Sequence, residues 1–528
     1  MRMSAPVQNL NSATQPKRHM NMLGHGIIAL LTLTVVVFGI RLLSVITLGS
    51  LFTSTGVEEA PIYSVWKVAH HYRLYESPLS DNFGLGMYNW LFYTLYGSII
   101  RIMRLDASSL ILAGRMITVV FAVLGCIGFR FVLNRVTPQL TPAWAWMLSV
   151  LVWADSGEAG WWQVSVRPDV AALTAATWAF WFCVGAMTNR KPRLALAASL
   201  LFYTAWSFKQ TTVLLFIACC LIVLLVQRWV VGFAALTIPF GVLVAVTFVV
   251  GGHNYYLNTI YAPSINAFVA SGGLTEIATA ILASPFIWIG GGVGAAALIS
   301  HRIEIGGMGP LASPVSLVLL LGYFLSALGD CIGICRMGSA RNTLFEAFLV
   351  SAILTSIVVS DALTSGAPSF RCQMWNKLLL MAALANVMVL GGRLCSLPGF
   401  GRLTLANRYQ FSFRLRLANS MENLSAPVFI RDGILSLPWY ANRNHYPAIM
   451  DDFLFYQAAL HHGDLTEDPI KLLVDSHHFR ALLVAKQDPA LSWALDAGCT
   501  LSSSQGLSTW SLTQIDCADR TEPERSSQ

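Results

Sequence analysis

Through the first 395 residues, long apolar runs alternate with short polar loops. A helix needs about 20 predominantly apolar residues to cross a hydrocarbon layer of roughly 30 Å. By that measure the runs Ile27 to Leu48, Leu110 to Leu133, Pro142 to Trp153, Val170 to Met187, Leu194 to Trp206, Thr211 to Val226, Trp229 to Val250, Leu274 to Ile299, Pro314 to Leu328, Leu344 to Val359 and Leu378 to Gly392 predict about eleven membrane-spanning helices. The first run follows Arg2, Lys17 and Arg18 and has no A-x-A site, which predicts an anchor helix and not a cleaved signal. The glycines from Gly290 to Gly294 predict close helix packing in preference to a phosphate loop.

Two stretches break the pattern. From Thr53 to Ile102 the chain is too polar at first to span and then too apolar for a free loop, and Trp66, Tyr72, Tyr75, Phe83, Tyr88, Trp90, Phe92, Tyr93 and Tyr96 predict interfacial helices at headgroup level. After Phe400 charged residues and His become frequent and prolines punctuate the chain. There Val428 to Ile430 and Ala481 to Ala485 predict strands, Met450 to His461 and Ile470 to Val474 predict helices, and Arg520 to Gln528 reads as disordered. The division is therefore residues 1–395, a transmembrane domain, and 396–528, a small α/β domain.

Composition agrees with a membrane solvent. Of 528 residues, 55% are hydrophobic and only 12% charged, with a mean hydropathy of +0.59, too apolar for a water-facing surface. The net charge of +7 is scattered between apolar runs, which argues against a nucleic-acid partner. With a cytoplasmic amino terminus, Arg130, Arg135, Arg190, Lys191, Arg193, Arg228, Arg302, Arg371 and Lys377 all fall in inside loops. The same parity places Glu58, Arg167, Lys209, Asn254, Arg341 and everything after about Ser396 outside. Eight of the ten cysteines lie before Phe400 in or beside apolar segments; Cys499 and Cys517 sit in the tail and can pair if that tail is outside the cytoplasm.

No GxxxxGK[ST], GxGxxG turn, HExxH or D-x-D is present, so nucleotide-driven transport and Rossmann chemistry lack their usual handles. The informative residues stand in order: Gly56-Val-Glu58-Glu59-Ala-Pro-Ile-Tyr63, then Val68-Ala-His-His-Tyr-Arg-Leu-Tyr75, Gly86-Met-Tyr-Asn-Trp-Leu91, Ala113-Gly-Arg115, Arg167-Pro-Asp169, Lys209-Gln210 and Gly338-Ser-Ala-Arg-Asn-Thr-Leu-Phe-Glu346. That order resembles the GT-C superfamily of polyprenyl-phosphate-sugar glycosyltransferases, in its protein-mannosyltransferase and aminoarabinose-transferase-like branch. Glu58 stands where the family usually has Asp, and His71 where it often has Gly.

The resemblance implies a GT-C-like bundle with an external domain, a polyprenyl-phosphate sugar donor, an external acceptor hydroxyl and a bacterial plasma membrane. It implies Glu58, first of the acidic pair, as general base, with Glu59 orienting the loop or acceptor. The chemistry fits on its own terms. A phosphate leaving group is a weak base and needs electrostatic stabilisation more than protonation, so one carboxylate opposite it suffices and the anomeric centre inverts. Arg115 is the first choice for a phosphate clamp, because a guanidinium fork matches phosphate oxygens. Arg167, Lys209 and Arg341 are secondary candidates, Asp169 would orient Arg167, and Asn342 would hold sugar or backbone. No cofactor is expected; a divalent metal would need His70 or His71 beside Glu58. The rival reading, a transporter or lipid-linked-sugar flippase, expects charges at mid-span and not at helix ends.

Overall fold

The computed structural model describes residues 22–48, 58–77, 84–105, 107–155, 160–300, 313–336, 339, 341–364 and 370–396, and in the tail 428–431, 449–451, 459–463, 469–475, 479, 481–485, 487–507 and 510–517. The helical part comprises α1 (Met22–Leu48), α2 (Glu59–Ala69), α3 (Trp90–Ile102), α4 (Ala107–Val136), α5 (Pro142–Trp153), α6 (Asp169–Asn189), α7 (Pro192–Phe208), α8 (Leu214–Leu221), α9 (Val230–Tyr256), α10 (Ala262–Ile265), α11 (Ala270–Ala283), α12 (Pro285–Ile299), α13 (Pro314–Ile334), α14 (Phe345–Thr364) and α15 (Phe370–Cys395).

All the apolar runs are helical. Among the described residues seven helices are long and apolar enough to cross a bilayer, or eight if α11 and α12 form one broken span. Those two meet at a 95° bend, where Ser284 precedes Pro285 and a proline bars the residue before it from helical geometry. Helices α5, with 12 residues, α7, with 17, and α8, with 8 before its π-helical continuation Ile222–Val226, are shorter. Yet α7 runs back along α6 and brings Lys209 to Asp169, so helix length alone does not count the crossings.

The loop after α1 folds as two short helices, α2 and α3, of 11 and 13 residues. At about 1.5 Å per residue α3 is far too short to cross. Their aromatic residues do not lie among headgroups: Tyr63, Trp66, Phe92, Tyr93 and Tyr96 are buried in a core with Leu110, Val166 and Phe208. The glycine run of α12 packs against α14, where an added Cβ on Gly294 would stand 2.7 Å from the Leu354 carbonyl oxygen. Small residues let backbones touch where the solvent offers no hydrophobic drive.

In the tail, β1 (Val428–Arg431), β2 (Ile449–Asp451), β3 (Ala481–Ala485), β4 (Cys499–Leu507) and β5 (Trp510–Cys517) form one sheet in the order β2-β1-β3-β5-β4. The first three are parallel, and β5 runs antiparallel to both β3 and β4. The predicted helix at Met450 is instead β2 at its start, with residues 459–461 helical; the helix at Ile470 runs Pro469–Asp475 as expected. Arg520 to Gln528 lies outside the described residues. Ala481 joins the core of α2 and α3, and Ala459 packs with Leu85 and Ala262, so the tail rests on the first loop.

Gly294→Ala should lower the thermal midpoint of detergent-purified protein, with an overpacking cost of about 1–3 kcal/mol. Gly391→Ala, where nothing lies within 4 Å, is the control and should be silent. Equal midpoints for both variants would remove close approach as the reason for the glycine run.

Candidate active site

Glu58 precedes α2 and is wholly buried, as is Arg115 two turns into α4. A buried charge is tolerable only when paired and hydrogen-bonded, and here three N–H groups converge on one carboxylate. Arg115 donates through Nε to Oε1 at 3.1 Å and through Nη2 to Oε2 at 2.9 Å, and the Val166 backbone N–H donates to Oε1 at 2.6 Å. Gly114 explains how the third bond is reached: a Cβ there would stand 2.9 Å from the Val166 side chain, so only glycine lets that segment so close. Thr118, one turn beyond Gly114, donates to the Ser165 carbonyl at 2.7 Å and also contacts the Tyr96 hydroxyl at 3.0 Å.

One residue past Val166 a second network begins, centred on Asp169 at the first turn of α6. Its Oδ2 accepts from Arg167 Nε at 2.9 Å; its Oδ1 accepts from Lys209 Nζ at 2.6 Å and Asn342 Nδ2 at 2.7 Å. Lys209 also donates to the Asn342 carbonyl at 2.9 Å. Arg167 lies over the Trp162 ring, 4.3 Å from its centroid, and donates through Nη2 to the Tyr88 hydroxyl. Burial pushes the Tyr88 phenol up to about 12 against the downward pull of Arg167, so it stays protonated. Burial alone would lower the Arg167 pKa, but Tyr88 and Asp169 outweigh it and hold the guanidinium charged. Behind Lys209 lies a polar cavity with room for about one water, lined by Asp169, Thr211, Thr212, Asp330, Asn342 and Glu346 among others.

The segment carrying Tyr88 is stapled over the helix ends by amides. Gln210 donates to the Met87 and Thr259 carbonyls at 2.8 and 2.9 Å, Asn258 accepts from the Gly86 N–H at 3.2 Å, and the Tyr255 hydroxyl donates to Asn89 at 2.5 Å. The upstream end is held by a buried ion pair, Lys67 to Glu76 at 2.5 Å; burial lowers the Lys67 pKa, with Glu76 opposing.

The structure thus joins Glu58 to Arg115, and Arg167, Asp169, Lys209 and Asn342 to one another. All stand at one end of the bundle. Arg341 is apart, half-buried and 3.5 Å from Glu276. The side chain of Glu59 lies outside the described residues. His70 stacks on Trp66 with ring centroids 4.5 Å apart, His71 faces Arg101, and no three His, Cys, Asp or Glu gather as a metal set among the described residues. His71 has φ 66°, left-handed geometry that suits the glycine often found there in the resembling families. Sequence reasoning passed over Tyr88, Asp330 and Glu346 as site residues. Glu346 accepts from the Leu214 and Leu215 N–H groups, and Asp330 from that of Ala347. An acid inside an apolar run was the available signal for both.

No family model matches the chain, and no curated protein matches it in sequence. Solved structures do match in fold. ArnT from Cupriavidus metallidurans, in the apo state, superposes with a TM-score of 0.56 at 10% identity, covering 92% of this chain and 97% of its own. The apo oligosaccharyltransferase of Archaeoglobus fulgidus gives 0.52 at 11% identity, over 86% of this chain and 69% of that one. The archaeal oligosaccharyltransferase AglB from the same organism, in complex with an inhibitory peptide and a dolichol-phosphate, gives 0.50 at 10% identity, over 95% and 75%. These are GT-C proteins, and the architecture of this chain is the GT-C fold.

Removing one partner of a buried ion pair leaves an uncompensated charge, at a cost of about 3–5 kcal/mol. Arg115→Met should therefore unfold at a markedly lower temperature, and Arg115→Met combined with Glu58→Gln should recover part of the loss, with a coupling of roughly 0.5–3 kcal/mol. Strictly additive losses in thermal unfolding would mean that the two side chains are not coupled.

Proposed function

We propose that this protein is a membrane glycosyltransferase that moves a sugar from a polyprenyl-phosphate donor to an external acceptor hydroxyl, with inversion. The observation that carries the reading is the Glu58 carboxylate, buried and held by Arg115 and the Val166 N–H, beside the cations gathered around Asp169, on a GT-C fold. The AglB complex contains an inhibitory peptide and a dolichol-phosphate, which supports a lipid-phosphate donor and a separate acceptor. Charges at helix ends and not at mid-span favour transfer over transport.

In this reading the donor phosphate competes for Arg115. Drawing the guanidinium toward phosphate frees one Glu58 oxygen, which takes the proton of the acceptor hydroxyl as the acceptor oxygen bonds to the anomeric carbon. The bond from that carbon to the phosphate oxygen breaks on the opposite face, and polyprenyl phosphate leaves with the electron pair. Arg167 and Lys209, held in place by Asp169, stabilise the charge that develops on the phosphate, and Asn342 orients the sugar. Glu59 serves the loop or acceptor.

The site and tail face outward across a bacterial plasma membrane in this proposal. A disulfide at Cys499, which stands opposite Cys517 in the β4–β5 ladder, supports an oxidising compartment for the tail. In intact cells, after mild reduction, a membrane-impermeant thiol reagent should label Cys499 or Cys517 in a variant lacking the other cysteines. Labelling only after lysis would reverse the orientation.

Glu58→Gln keeps size and hydrogen bonding but cannot accept a proton, so transfer should fall by roughly 10²–10⁴-fold while donor binding survives. Arg115→Lys should weaken donor use more than a retained charge would suggest, since an ammonium cannot reproduce the fork. Sugar transfer at the parental rate by both Glu58→Gln and Glu59→Gln, in purified protein with lipid-linked donors, would overturn the proposed chemistry.

A further inference from the structure

At the end of α4 opposite the site, Arg130 is a buried charge with no ion-pair partner among the described residues. It is 9% exposed, its Nε and Nη1 make no hydrogen bond, and it forms no ion pair among the described residues. Its company is aromatic: the guanidinium lies 5.9 Å from the Trp146 ring centroid, and that ring is 45% exposed. One turn on, Arg135 lies over Trp181 at 4.0 Å and donates to its carbonyl. Among the described residues no countercharge pairs with it. Helices α1, α4 and α5 and the loop from residue 137 to 141 carry no Asp or Glu, and the one acid of α6, Asp169, is at its far end. Asp361 of α14 makes no ion pair with Arg130.

Depth supplies the missing partner. The span Ser109–Val136 has 28 residues, about 42 Å of helix against roughly 30 Å of hydrocarbon, so each end overhangs by about 6 Å. Arg130 lies six residues, about 9 Å, from Val136, just under the hydrocarbon boundary, where its stem reaches headgroup level. Trp144 and Trp146 at the start of α5, and Trp181 beside Arg135, mark that level as an aromatic belt. A guanidinium there, beside an open indole face and with no carboxylate paired to it among the described residues, matches a lipid phosphodiester. We infer that Arg130 and Trp146 form a binding site for the phosphate of an anionic phospholipid in the leaflet opposite the candidate active site. This inference stands independently of the proposed chemistry.

The full chain, purified in neutral detergent, would be titrated with phosphatidylglycerol, phosphatidylcholine and inorganic phosphate, with bound lipid read by native mass spectrometry and stability by thermal unfolding. Phosphatidylglycerol should bind and raise the midpoint of the parent. Arg130→Gln should lose roughly 10–100-fold in that affinity, show no lipid-dependent rise, and without lipid melt at or above the parental temperature, because an uncompensated buried charge is gone. Arg130→Lys keeps the charge but not the fork, and its lipid response should fall between the two. Equal phosphatidylglycerol affinity in the parent and either variant would overturn the site. So would a full response to phosphatidylcholine or inorganic phosphate, or a lower lipid-free midpoint in Arg130→Gln.

Discussion

The packing at one end of the bundle depends on one constraint: the buried Glu58 carboxylate is bound by Arg115 and the Val166 N–H. Its ligands come from three places, the start of α2, the body of α4 and the turn before α6. Because neither charge can be left alone in a low-dielectric interior, the pair fixes these segments relative to one another. Once α2 is held, its Tyr63 and Trp66 carry α3 into place through Phe92, Tyr93 and Tyr96, and the loop becomes a packed layer of aromatics over the helix ends.

The Asp169 network follows the same logic one residue later. A single carboxylate receives Arg167, Lys209 and Asn342 from three separated parts of the chain, so α6, the end of α7 and the segment before α14 are gathered at one point. Charges alternate along the path from Arg115 to Glu58, Arg167, Asp169 and Lys209. Such alternation lets several charged groups share one buried site. The side chains are held by packing too: Arg167 is flanked by Trp162 and Tyr88.

Elsewhere the bundle obeys membrane rules. Helix α14 is central, with 94% of its apolar window buried, whereas α9 has 6% buried and packs on the bundle through one face, against α7 and α8. The two are equally apolar to the eye, because lipid tails and protein interiors ask for the same side chains. What separates them is the small-residue face of α12 that receives α14, and the Asn258 amide just past α9 that binds the first loop.

Hydropathy along the chain determined that this is a polytopic helical membrane protein with a tail of different character, and the order of Glu58, Arg115, Arg167, Asp169, Lys209 and Asn342 at helix ends pointed to one shared face. Both are local properties: the apolar length of a run and the cost of a charge within it depend little on neighbours. Tertiary structure decided the rest. It broke Leu274 to Ile299 in two at Ser284, turned headgroup-seeking aromatics into a core, made β2 of residues read as helix, and set Arg341 aside while bringing in Tyr88, Asp330 and Glu346. Above all it paired Arg115, chosen from the sequence as a phosphate clamp, with Glu58, chosen as a base. They lie 57 residues apart, and a contact at that separation is set by how helices pack, which no local pattern records.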